Sequence, residues 1–327
     1  MMQLHSMWAS YPDLETDLKD VLTTIEKNIQ IRDKRVNQNV KSLIHAGGKL
    51  LRPAYALLMA EIGPDYERER AVSVAAALEV LHMATLIHDD VVDESPLRRG
   101  EPTIHSRYGN HYAVYTGDYL FTVCFKILSK HSDSLQNIEF SSRNIEKILM
   151  GELDQMRMRY NLDVSVKEYL SRISGKTAQL FALSCYSGAT ASKAPRKMAI
   201  KAWNIGHYLG MAFQIIDDVL DYTSTDSGLG KPVLNDVLQG VYSLPLIYAM
   251  RGQKNEFEPL LSKKEAMTDD DLKALLELIE KHEGVEKAFD LAQKYTKKAQ
   301  KEISKLPDGA YKTTLERLTS EILTRKI

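Results

Sequence analysis

Leu86-Ile87-His88-Asp89-Asp90-Val91-Val92-Asp93 sets three carboxylates at the C-terminal end of an apolar run that begins near Ala71. The apolar stripe of a helix normally enters a core, and carboxylates are almost never fully buried there unless paired or metal-bound. On a helix, Asp89 and Asp93 lie four apart and share a face. The two anions repel, and the C-terminal end of the helix dipole disfavours both. A cation relieves all of this. The pattern recurs at Gln214-Ile215-Ile216-Asp217-Asp218-Val219-Leu220-Asp221. One such motif is compatible with a solvated helix end. Two, each closing an apolar helix, predict a metal site built from two facing helices.

Working outward, helical periodicity dominates. Leu14, Leu18, Val21, Leu22, Ile25 and Ile29 follow Pro12 at spacings of three and four. Pro53 suits the first turn of a second helix. Further helices are predicted from about Arg68 to Asp93, His111 to Lys130, Ile138 to Tyr160, Val166 to Ser187 and Lys193 to Asp221. After a long polar loop come Leu234–Met250, a short piece near Phe257–Ser262, and helices at about Asp269–Glu280, Val285–Leu306 and Tyr311–Thr324. No stretch alternates long enough to predict a strand. No tandem repeat and no Ser/Pro-rich linker divides the chain. Residues 1–327 therefore read as a single all-α domain of about a dozen helices.

The 327 residues are 44% apolar and 27% charged, with a net charge of −1. That balance gives no case for a nucleic-acid partner, which calls for a basic face. Cys124 and Cys185 both lie in apolar helical context and read as buried thiols, not as a disulfide or a metal site. Glu79 and His82 interrupt the longest apolar run, so no transmembrane segment is predicted. The N-terminal stretch is acidic and lacks a signal-peptide core. The expected localisation is cytoplasmic.

Paired acidic motifs with all-oxygen donors suit Mg²⁺ or Mn²⁺ and not Zn²⁺. Mg²⁺ typically bridges a few carboxylates to substrate phosphates, so phosphate-binding cations are expected too. Gly47-Gly48-Lys49-Leu50-Leu51-Arg52-Pro53 is a glycine loop entering a helix, with Lys49 and Arg52 at hand. Arg98 and Arg99 follow the first acidic cluster. Lys176-Thr177 lies between the clusters, and Lys231 follows the second. His82 lies upstream of Asp89, and Gln214 three before Asp217. Singly each has an ordinary reading: a surface arginine, a snorkelling lysine, a hydrogen-bonded histidine. Their conjunction in one chain carries the functional reading.

These residues closely resemble the trans-isoprenyl diphosphate synthase family, from the Gly-Gly-Lys-x-x-Arg-Pro loop to the Leu244-Pro245-Leu246 region. The similarity implies an all-α bundle around a central cavity, usually dimeric. It implies that Asp89, Asp93 and Asp217 hold Mg²⁺ on the diphosphate of an allylic substrate, with Asp90, Asp218 and Asp221 supporting directly or through water. Arg98, Lys176 and Lys231 are then contacts of the same diphosphate. The same resemblance implies that Lys49, Arg52, His82 and Arg99 bind isopentenyl diphosphate and that Thr177 and Gln214 face the reacting carbons.

In similar enzymes a bulky aromatic four or five residues before the first aspartate stops chain growth early. Those positions here are the small Ala84 and Thr85, and Leu81, one turn further, is medium-sized. That open shaft leads us to expect a product longer than C20, and the similarity implies a length of about C30 to C35. Val241 stands where many relatives carry a lysine. The stretch Asp236-Val237-Leu238-Gln239-Gly240 resembles the catalytic large subunit, component II, of heptaprenyl or hexaprenyl diphosphate synthases. That similarity implies a heterodimer with a small non-catalytic subunit as the alternative to a homodimer. The rival functions are a geranylgeranyl diphosphate synthase, a terpene cyclase, a regulatory subunit, and a helical interaction protein with solvated acidic ends. A cyclase usually has Asn, Ser and Glu in its second motif, not a repeated Asp-Asp-x-x-Asp.

Overall fold

The computed structural model describes residues 4–45, 48–130, 135–223 and 234–323. The fold is all-α. The chain divides into two compact units, residues 1–142 with 183–203, and 143–182 with 204–327.

The first unit begins with a 3₁₀ turn, Ser6–Ser10, then α1 (Pro12–Asn28), α2 (Lys34–His45) and α3 (Leu51–Ala60). The sequence reading did not single out α2. Its N-terminus is capped by Asp33, whose Oδ1 accepts from the Arg35 and Val36 amides at 2.9 and 3.2 Å. The central helix is α4 (Arg68–Val92), packed by α1, α3 and α6 (Asn110–Lys130), with the single-turn α5 (Ile104–Tyr108) before α6. Helix α4 is long and apolar enough by composition to cross a membrane, yet 78% of that window is buried inside the protein. A helix apolar all round is a core helix when neighbours cover it. Ala75, Ala76, Ala77, Leu78, Val80 and Leu81 are fully buried.

Helix α4 ends at Asp93, and Glu94 takes a positive φ of 49°. The basic loop read after it is a two-residue hairpin. Strands β1 (Leu97–Arg98) and β2 (Glu101–Pro102) pair antiparallel through Arg99 and Gly100, with φ of 52° and 81°. Positive φ at both central residues is the turn whose twist matches a hairpin. Gly100 adopts it freely, and Arg99 does so against the usual preference of a residue with a side chain. A strand this short leaves no alternation to read.

The remaining helices are α7 (Leu135–Arg157), α8 (Val166–Ile173), α9 (Gln179–Ala191), α10 (Arg196–Thr223), α11 (Asn235–Leu238), α12 (Leu244–Met250), α13 (Lys254–Leu261), α14 (Asp269–Lys281), α15 (Gly284–Ser304) and α16 (Ala310–Leu323). In the second unit α12 packs on α15, α14 and α8, and α15 on α16. Two predicted helices are broken. The stretch read as Val166–Ser187 is interrupted by a π-turn at Ser174–Ala178. The stretch read as Leu234–Met250 is broken where Gly240 adopts φ 75°, and restarts with Pro245 in the first turn of α12. Thr324, the expected end of the last helix, lies outside the described residues.

Candidate active site

The first unit carries one set of candidate residues at the end of α4. His82, Thr85, Asp89 and Asp93 follow one another by three and four, so they form a single stripe. All four keep partial exposure, as do Leu86, His88 and Val91 toward the same end of the helix, whose middle is buried. Asp90 points elsewhere. It is buried, and its Oδ1 accepts from Arg98 Nε at 2.7 Å. Burial raises the Asp90 pKa, and Arg98 works against that rise. The hairpin thus places Arg98 on the middle aspartate of the motif. His88, just before the motif, stacks on Phe121 of α6 with ring centroids 5.5 Å apart. Its Nε2 lies 3.2 Å from the Val114 carbonyl oxygen and 3.3 Å from Asp118 Oδ1. These contacts hold the end of α4 against α6.

Upstream on the same helix, His82 Nε2 lies 3.0 Å from Arg52 Nη1 of α3. A guanidinium can only donate, so this ring nitrogen accepts and the imidazole proton resides on Nδ1. Burial first, then Arg52, Arg99 and Arg98, drive the His82 pKa well below its ordinary value. The histidine is neutral. Glu79, one turn earlier, is a buried carboxylate. Burial raises its pKa, while Arg52 and Arg99 pull it back. Burial lowers the Arg52 pKa to about 10, with Glu79 opposing. Arg99 is accessible overall, but its guanidinium lies against Gly48. A Cβ there would come 2.5 Å from Arg99 Nη1. The Lys49 carbonyl accepts from the buried Trp8 indole at 3.1 Å, which anchors the loop backbone. Arg52, His82 and Arg99 therefore gather around α3, α4 and the hairpin with the Glu79 carboxyl among them, while Lys49 is placed through its backbone carbonyl. The charged interruption of an apolar run was the signal for Glu79.

Ala84 and Leu81 are fully buried, and the Thr85 hydroxyl donates to the His82 carbonyl of its own helix at 2.8 Å. No aromatic ring occupies these positions.

The second unit carries the other set. Gly206, Gly210, Gln214 and Asp218 lie four apart on α10. A Cβ at Gly210 would stand 2.5 Å from Ala178 Cα, and one at Gly206 would strike the Phe181 carbonyl oxygen. The two glycines let α10 approach the π-turn and the start of α9, and Gln214 then meets Thr177. Thr177 Oγ1 donates to Gln214 Oε1 at 2.7 Å. Gln214 Nε2 donates to Asp218 Oδ1 at 2.7 Å, and Tyr169 of α8 donates to Asp218 Oδ2 at 2.6 Å. Burial pushes the Asp218 pKa up to about 7, with Tyr169 and Gln214 pulling it down. Asp217 is exposed and Asp221 half-buried. Lys176 Nζ donates to Glu152 Oε2 of α7 at 2.9 Å. A π-turn displaces side chains from the regular helical register and often marks a functional site; here it carries Lys176 and Thr177. Sequence reasoning missed Tyr169 and Glu152, which no local pattern distinguishes. Lys231 lies outside the described residues.

Among the described residues, no three His, Cys, Asp or Glu side chains converge on one point. Mg²⁺ does not require that, because one or two carboxylates suffice when substrate phosphates and water complete its shell. Each unit keeps two aspartates at least partly exposed, Asp89 and Asp93 in the first and Asp217 and Asp221 in the second, and hard oxygen donors of this kind suit Mg²⁺. Asp90 and Asp218, expected to support the metal directly or through water, are both buried and bonded to protein donors.

The polyprenyl synthetase family profile matches residues 33–279. Heptaprenyl diphosphate synthase component 2 of Bacillus subtilis (strain 168) is 35% identical over 319 residues, 97% of this chain and 90% of that protein. The solved geranylgeranyl pyrophosphate synthase of Lactobacillus brevis ATCC 367 is 40% identical, with a TM-score of 0.93 over 98% of this chain and 99% of that one. Polyprenyl synthase of Caulobacter crescentus CB15, complexed with calcium and isoprenyl diphosphate, is 31% identical, with a TM-score of 0.87 over 96% of each chain. The chain belongs to the polyprenyl synthetase family and is a transferase with trans-prenyl diphosphate synthase activity. That family acts on isoprenyl diphosphates with a divalent metal. The name of the B. subtilis relative implies a second component in that enzyme.

Proposed function

We propose that this chain is a Mg²⁺-dependent prenyltransferase that condenses isopentenyl diphosphate with an allylic diphosphate to an all-trans product of about C30 to C35. The observation that carries the reading is the α4 stripe. Asp89 and Asp93 remain accessible at one end of a buried helix. The same stripe runs back to a neutral His82 bonded to Arg52. Small residues lie beneath the acidic end. Mn²⁺ suits the same donors.

Asp89, Asp93, Asp217 and Asp221 would hold the metal, which when bound would neutralise charge on the departing diphosphate. Arg98, Lys176 and Lys231 add fixed positive charge to that diphosphate. Lys49, Arg52, His82 and Arg99 bind the diphosphate of isopentenyl diphosphate, and neutral His82 can donate from Nδ1. Thr177 and Gln214 face the reacting carbons. The apolar residues of α4 exclude water, which would otherwise capture the allylic cation as an alcohol. The two compact units serve as one synthase domain. The chain works in the cytoplasm, as a homodimer or with a small non-catalytic subunit such as the component-2 name of its relative suggests.

A second reading, a geranylgeranyl diphosphate synthase making C20, is favoured by the Lactobacillus relative. Chromatography of products from farnesyl diphosphate and labelled isopentenyl diphosphate separates the two. The chain is assayed alone and again with cell extract supplying any partner. Products beyond C20 are expected in at least one arm; a stop at C20 in both overturns the long-chain reading.

A further inference from the structure

We infer that Asp218 and Tyr169 form an internal brace that sets the orientation of Gln214 and Thr177, and that Asp218 does not ligate the metal. The inference rests on the reading that Gln214 and Thr177 face the reacting carbons.

The geometry is a directed chain of hydrogen bonds. Asp218 is 9% exposed, and each of its oxygens already accepts a short bond. Asp218 accepts from the Gln214 NH₂ on one oxygen and from the Tyr169 hydroxyl on the other, so the amide nitrogen faces Asp218. The amide oxygen then faces Thr177, whose hydroxyl must donate to it. Thr177 therefore spends its proton inward and presents lone pairs outward. That polarity suits a neighbouring cationic carbon and withholds a proton from it. If the amide flipped, the Gln214 NH₂ would occupy a Thr177 lone pair and the hydroxyl proton would turn outward.

The anchor is rigid. Tyr169 is fully buried. Its helix starts from a capping box in which Ser165 and Glu168 bond reciprocally. Arg172, one turn on, lies with its guanidinium carbon 5.3 Å from the Tyr169 ring centroid and donates to the Tyr242 carbonyl at 2.8 Å. Ser243, the next residue, donates to the Tyr222 hydroxyl at 2.8 Å. Tyr222 is one helical turn beyond Asp218 on α10. The brace thus ties α8, α10 and the start of α12.

The test uses Tyr169→Phe and Asp218→Asn in the full-length protein, with Asp217→Asn as the contrast. Binding of inorganic diphosphate in the presence of Mg²⁺ is measured by calorimetry. Partition of the allylic substrate is measured as the ratio of prenyl alcohol to condensation product. In the alcohol route the C–O bond breaks, diphosphate departs with the electron pair, and water bonds to carbon and loses a proton. This ratio does not depend on the fraction of folded enzyme, so loss of folded protein alone leaves it unchanged. Tyr169→Phe and Asp218→Asn are expected to raise the ratio several-fold and leave diphosphate affinity within about twofold of wild type, a change below ~0.5 kcal/mol. Asp217→Asn is expected to weaken that affinity about tenfold or more, in keeping with lost metal ligation. A loss of affinity in Asp218→Asn equal to that of Asp217→Asn overturns the inference, as does a wild-type ratio in both Tyr169→Phe and Asp218→Asn. Absence of Mg²⁺-dependent condensation in the wild-type protein would instead refute the proposed function itself.

Discussion

At the end of α4 the middle aspartate, Asp90, meets a full charge, Arg98, eight residues away in the chain. At the end of α10 the middle aspartate, Asp218, meets two neutral donors, Gln214 from its own helix and Tyr169 from 49 residues upstream. Both carboxylates are buried, and burial raises both pKa values. The compensation differs in kind. A guanidinium opposes the cost of burial by charge, and Arg98 remains part of a hairpin that also carries Arg99. A tyrosine hydroxyl and an amide oppose it by directed hydrogen bonds, which specify orientation. The same three-aspartate spelling therefore serves two local purposes. One end organises cations; the other organises a polar relay.

The flanking aspartates are the feature the two ends share, so their loss should have the largest effect. Asp89→Ala and Asp217→Ala are each expected to lower kcat by about 10³-fold or more, since metal-assisted charge stabilisation is worth several kcal/mol. Steady-state kinetics at saturating Mg²⁺ checks this; a mild effect at either end would break the equivalence.

The next two predictions probe what differs. Gly210→Ala places a methyl group against Ala178 and should destabilise the protein by about 1–3 kcal/mol, the usual cost of overpacking. It should also lower kcat by displacing Gln214 from Thr177, as read by urea unfolding and single-turnover assays. At the other end, Arg98→Met, Asp90→Asn and the double variant form a cycle. Its coupling should be about 1.5–3 kcal/mol, as for hydrogen bonds to charged groups. That coupling should shrink with added salt, because Arg98 is partly exposed.

A smaller effect is expected from Ser165→Ala, which removes the cap of the helix bearing Tyr169. About 1 kcal/mol of stability should be lost, and differential scanning calorimetry would detect it. The smallest concerns pH. His82 has a folded pKa well below its unfolded value of 6.5. As pH falls, the unfolded chain takes up this proton first, so stability is full above about pH 6.5 and declines below it. The melting temperature of His82→Gln should fall less steeply than wild type between pH 7 and 5.5; parallel curves would show that His82 is not held neutral.

Much of the first end was legible in the chain because its partners are local. Asp89 and Asp93 share a face by spacing alone, and Arg98 follows within a hairpin's reach. Glu79 was visible only as a charge interrupting an apolar run, and no role was read from it. The second end was legible only in its aspartates and in Gln214. Tyr169 and Glu152 carry no pattern at short range, and the π-turn at Lys176 leaves no compositional trace. A helical period continues through Val166–Ser187 whether or not one residue is inserted into the turn.

By itself, the amino-acid sequence determined the helical class, the two acidic helix ends, and the supply of cations for anionic substrates. Those follow from short-range periodicity and charge, which depend on neighbours three and four residues away. Tertiary structure decided which aspartates stay accessible and which are buried. It also decided that His82 is neutral, and that Gln214 is turned by a carboxylate and a tyrosine from a distant helix. Burial and hydrogen-bond direction depend on surfaces brought together by folding, such as α10 against the π-turn through Gly206 and Gly210. Spacing along the chain does not encode them.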